Sequence, residues 1–70
     1  MRIVEISSEP VELYKIIKFE GLAASGAEAK EVIAAGQVLV NGQVEMRKRK
    51  KIVSGDIVLF GEDEIHIQLC

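Results

Sequence analysis

The sequence predicts an α+β fold, two short packed helices against a small, bent, mainly antiparallel β-sheet. Three observations carry that expectation. Residues 25–42 read as a capped helix, a glycine stop, a short strand and a tight turn in unbroken succession. Upstream, Leu13, Ile16 and Ile17 recur at the helical period. Downstream, residues 57–69 alternate apolar runs with turn residues, as paired strands do.

In chain order, residues 3–6 (Ile-Val-Glu-Ile) are apolar and β-branched enough for a short opening strand. Ser7 or Ser8 is then placed to cap a helix with Glu9 and Pro10 in its first turn, where proline's missing N–H has no partner to lose. Leu13, Ile16 and Ile17 form that helix's inner face, Phe19 extends one edge of it, and Lys15 and Lys18 point elsewhere. Gly21 supplies the left-handed stop, with Leu22 folding back on the last turn. About three residues later Ser25 and Glu28 fit a capping box. Ala29, Val32 and Ile33 make the second helix's apolar stripe, Gly26 and Lys30 share one flank, and Gly36 ends it. Alanines at 29, 34 and 35 would allow the two helices to approach closely. Val38-Leu39-Val40 before Asn41-Gly42 is the strongest hairpin signal, because Asn-Gly favours the type I′ turn whose twist matches paired strands. Residues 47–51 follow as an exposed connection. Ser54-Gly55-Asp56 and residues 61–64 are turns, and residues 65–69 alternate as a half-buried strand should.

Seventy residues make a single domain, spanning 1–70. A chain this size buries only about 60% of the surface its unfolded form exposes. The net charge of −2 argues against indiscriminate polyanion binding, yet it hides a segregation. Five of the nine basic residues, Arg47, Lys48, Arg49, Lys50 and Lys51, are consecutive, and three of the eleven acidic ones occupy 62–64. Adjacent cations repel, so such a run is stable only with counter-charges, its own or a partner's. No apolar run reaches the roughly 20 residues of a membrane span, and the N-terminus lacks a signal peptide's pattern. With one cysteine, no internal disulfide is expected; a cytoplasmic protein without membrane contact is. His66 and Cys70 are too sparse for a metal site. Asp63 and Glu64 read as turn chemistry, with no acid and base arranged around a pocket. No enzyme activity, cofactor or metal is expected.

Gly21-Leu22-Ala23, Ser25, Glu28-Ala29-Lys30, Ile33, Ala35-Gly36 and residues 38–42 together resemble the αL RNA-binding motif, the domain named after small-subunit ribosomal protein S-four. The likeness continues through residues 53–57, where that family has a glycine-aspartate turn entering a strand, so it covers about Leu13 to Phe60. The chain looks most similar to small free-standing bacterial members with a basic cluster after the hairpin. The resemblance implies a groove facing RNA, formed by the helix pair and the loop after the hairpin. Ser25, Lys30, Asn41 and Gly42 match the motif directly. The family usually has an arginine and an aspartate where this chain has Glu12 and Tyr14, an arginine at Gly26, and often a basic residue at Ala34. The 47–51 run supplies charge from a neighbouring place.

The expected function is therefore non-catalytic binding of structured RNA, ribosomal or transfer RNA, with ribosomal particles among the partners and the protein a monomer. The residues expected to serve it are Ser25, Gly26, Lys30, Asn41, Gly42, Arg47, Lys48, Arg49, Lys50 and Lys51. Tyr14, Phe19 and Phe60 are scattered, the phenylalanines reading as core, so recognition would rest on shape and backbone rather than stacking. A protein-interaction module that docks an acidic partner through the same basic loop is the alternative reading.

Overall fold

The hairpin that Asn41-Gly42 predicts anchors the sheet. Asn41 (φ 53) and Gly42 (φ 84) both take the left-handed conformation that a type I′ turn demands. They join Val38–Val40 (β3) to Gln43–Val44 (β4). The computed structural model describes residues 2–70. Around the hairpin lie Arg2–Ile6 (β1), Val11–Glu12 (β2), Leu13–Phe19 (α1), Gly26–Ala34 (α2), Lys51–Ile52 (β5), Ile57–Phe60 (β6) and Asp63–Leu69 (β7).

Five strands form one sheet in the order β1-β7-β6-β3-β4, antiparallel except where β1 runs parallel to β7. β2 and β5 form a separate antiparallel pair, Val11 opposite Ile52 and Glu12 opposite Lys51. The two helices pack on one face of the larger sheet. Leu13, Ile17, Ala29 and Ile33 from the helices meet Val38, Val58 and Ile65 from the strands, all fully buried, with Ile52 of β5 closing one side. Among the described residues the buried core is entirely aliphatic and contains no polar side chain. Each fully buried Val, Leu or Ile among them contributes about 1.5–3 kcal/mol.

Both helices stop as their glycines predict. Gly21 donates to the Lys18 carbonyl and Leu22 to that of Ile17; Gly36 and Gln37 repeat the pattern onto Ile33 and Val32. These are Schellman motifs, with glycine in the left-handed position. At the start of α2, Ser25 Oγ accepts from the Glu28 N–H at 3.2 Å.

Four local expectations are corrected. Ser7 and Ser8 cap no helix, and Glu9 and Pro10 lie outside α1, which starts at Leu13 after an extended Glu12. The N–H groups of Leu13 and Tyr14 donate to the carbonyls of Lys50 (2.9 Å) and Lys48 (3.1 Å). Donors that a serine would have satisfied are thus satisfied by a distant backbone segment. Phe19 is 69% exposed, at the helix edge beyond the core. Ala34 and Ala35 are exposed as well, so among the three alanines only Ala29 lies between the helices and the sheet. The link between the helices spans residues 20–25 rather than three. Apart from these four, His66 lies on β7, inside the sheet between β1 and β6, half-buried with Nε2 2.7 Å from Glu64.

Candidate functional site

The first turn of α1, the flank of α2 and the loop from 45 to 51 converge on Tyr14. Its ring has Lys30 Nζ 4.6 Å from its centre, Arg49 Cζ at 5.7 Å and Lys15 Nζ at 6.0 Å. A cation within about 6 Å of an aromatic centre is attracted by the ring's quadrupole. Gly26 borders the same ring: a Cβ there would sit 3.7 Å from Tyr14 Cε2, in ordinary contact. Gly26 and Lys30, expected on one flank, do share it, and the aromatic side chain between them and the loop comes from α1.

The loop that carries the basic run is held by backbone. Its Lys48 and Lys50 carbonyls receive the two helix donors, Lys50 N–H closes a turn onto Arg47, and β5 pairs with β2. Fixing the main chain this way leaves the side chains free to project. Two of the five cations have acidic partners. Arg47 donates from Nε (2.9 Å) and Nη2 (3.1 Å) to Glu45, and its backbone N–H donates there too. The side-chain hydrogen bond from Arg47 holds the Glu45 carboxyl below its usual range. Arg49 lies 3.5 Å from Glu12, which also takes Lys15 at 3.4 Å. Lys48, Lys50 and Lys51 have no acidic partner among the described residues, and neither does Lys30. Arg47, Arg49, Lys50 and Lys51 line a shallow concavity of about 420 Å³. A second depression, between β1 and α1, is lined by Val4, Ile6, Val11, Ile16 and Phe19 and includes none of the predicted site residues.

The other predicted residues serve the scaffold. Asn41 Oδ1 accepts from the Ile57 N–H (2.9 Å) and its Nδ2 donates to Asp56 (3.0 Å), so its whole amide is engaged in joining the hairpin to the β5–β6 turn. Gly42 is exposed, its positive φ required by the turn. Ser25 is engaged as the α2 cap. Sequence reasoning missed Tyr14, Glu12 and Glu45. The signal for Tyr14 was its position one residue past buried Leu13, on the side of α1 that turns toward α2. Glu45 lies two residues before Arg47, a local signal for that pair, whereas nothing local marks Glu12 as the partner of Arg49.

A site of this kind can neutralise several closely spaced phosphates, with lysines acting as point charges and Arg49 able to offer a planar fork. Among the described residues no group of three or more histidine, cysteine or acidic side chains is placed to hold a metal ion.

The sequence profile of the S4 domain matches residues 4–68. YbcJ of Escherichia coli (strain K12) is 51% identical over 57 residues, 81% of each chain, and YbcJ of Shigella flexneri matches to the same extent. The solution structure of YbcJ from E. coli, described as revealing an αL motif involved in RNA binding, superimposes with a TM-score of 0.72. That alignment has 45% identity and covers 94% of this chain and 85% of the other.

Proposed function

Because the chain belongs to the S4 domain family, we propose that it is an RNA-binding protein that grips structured RNA without catalysing a reaction on it. Lys30, Lys48 and Lys50 are the principal phosphate contacts, with Arg49 and Lys51 beside them. Ribosomal or transfer RNA is the substrate class that this reading favours. The observation that carries it is the convergence of unpaired lysines from α2 and the loop on one corner of the molecule, on a main chain fixed by the α1 donors. Four such lysines, Lys30, Lys48, Lys50 and Lys51, in an otherwise acidic protein make sense against a polyanion that supplies the missing counter-charge. Arg47 ranks lower, since RNA must first displace Glu45 from its guanidinium. Ser25, Asn41 and Gly42 act by holding the scaffold, and Gly26 by leaving the α2 flank open.

The test compares wild type with a K30A/K48A/K50A variant in a filter-binding assay on structured RNA over a salt series. Wild-type affinity should fall with salt at a log–log slope of roughly 0.7–0.9 per phosphate neutralised. The variant should bind far more weakly and with a slope shallower by roughly two to three. Equal binding by the two proteins removes this site. Nuclease-resistant capture of acidic proteins through the same lysines would instead point to a protein partner.

A further inference from the structure

We infer that Tyr14 is the positioning residue of this basic surface, its ring aligning Lys30 of α2 and Arg49 of the loop as one paired contact for an RNA phosphate. The inference rests on the RNA-binding reading and names how that site is organised.

Lys30 has no ion-pair partner among the described residues, and its charge sits 4.6 Å from the ring centre. A free lysine on a helix flank samples many rotamers, and ordering it on binding carries an entropic cost. Packed against the ring, it has less of that freedom left to lose. Arg49 is held from two directions, by Glu12 at 3.5 Å and by Tyr14 at 5.7 Å. The ring is itself fixed. Its backbone N–H donates to Lys48, in the loop that carries Arg49, and its edge lies against Gly26 of α2. One side chain therefore touches all three segments of the site. A cation held by an aromatic face keeps its N–H donors for a ligand, whereas one held by a carboxylate does not. That difference separates Lys30 from Arg47, whose Nε and Nη2 are both engaged by Glu45. Gly26 lies against the ring, where an added Cβ would make ordinary contact with Tyr14 Cε2 at 3.7 Å and Cδ2 at 3.8 Å.

The experiment titrates a fluorescein-labelled RNA hairpin with wild type, Y14F, Y14L, K30M and Y14L/K30M at low salt, with thermal unfolding of each protein. Y14F keeps the aromatic face and should bind within about twofold of wild type, while Y14L should weaken binding roughly tenfold. K30M should weaken binding clearly in the Tyr14 background and much less in the Y14L background, the signature of coupled residues. Wild-type-like binding by Y14L, or independent effects of the two substitutions, overturns this inference and leaves the RNA-binding reading standing. No hairpin binding by wild type overturns both. A second measurement is independent of how the variants fold: in free wild type, the Lys30 side-chain methylene protons should show upfield ring-current shifts. Random-coil shifts there overturn the inference as well.

Discussion

At the scale of single residues, the division of labour runs between side chains that are engaged and side chains that are left available. Asn41 is the clearest of the first kind. Its two amide atoms join the hairpin turn to Ile57 and Asp56, and its own φ of 53 is one that asparagine tolerates better than most residues. Asp56 in turn accepts the Val53 N–H through its other oxygen, at 3.0 Å. N41A should therefore lower stability by about 1–3 kcal/mol, leaving the Ile57 donor without its acceptor. Urea unfolding checks this: the midpoint should fall while the m-value stays constant. The RNA affinity of the folded fraction should hardly change, which separates this position from Lys30. Lys48, Lys50 and Lys51 are the second kind, with charges that meet no carboxylate in the described chain. Glu12 and Glu45 explain how five adjacent cations coexist: each takes one arginine out of the mutual repulsion, leaving the lysines between and after them.

At the scale of elements, β5 is the small piece on which the site depends. It has two residues, yet Ile52 is fully buried and pairs with Val11, so it fixes where the preceding loop must lie. I52A should cost about 2–5 kcal/mol. It should also loosen the loop, seen as faster amide exchange at Leu13 and Tyr14, whose acceptors are loop carbonyls. How far the elements were legible follows from where their partners sit. The β3–β4 hairpin, the Ser25 cap and the glycine stops at 21 and 36 are written in a few adjacent residues, and all were readable. The start of α1 was not, because its first donors bond to Lys48 and Lys50, more than thirty positions along the chain. Ser7 and Ser8 offered a plausible local alternative that the β2–β5 pairing overrides. Phe19 was misread for a related reason: helical spacing gives the face of a residue, while core size decides whether that face is covered. The lysines of the site could be named from composition, but not the tyrosine that gathers them, since convergence of α1, α2 and the loop is a property of packing.

At the scale of the whole molecule, charge and architecture are arranged separately. The chain is net acidic, yet its unpaired cations gather where the helix pair meets the loop, leaving the five-stranded sheet as the rigid support behind them. That sheet has one parallel neighbour pair, β1 beside β7, with Arg2 opposite Ile65 and Ile6 opposite Leu69. Arg2 strengthens the junction by reaching both Glu20 (3.3 Å) and Asp63 (3.1 Å), and the Cys70 N–H donates to Ile6 at 2.8 Å. The pairing has a kinetic consequence. A contact between strands as far apart in sequence as β1 and β7 closes a long loop, and its chain-entropy cost precedes any gain from the contact. The helix pair and the β3–β4 and β6–β7 hairpins can assemble from near neighbours first, so β1 should dock late, after the transition state. I6A, which strips a buried side chain from that strand, should then leave the refolding rate nearly unchanged and put its whole effect into faster unfolding, a φ-value near zero in stopped-flow chevrons. During synthesis, the same geometry makes β1 wait for β7 to emerge, while the basic corner, whose segments are all present by Ile52, can already take shape.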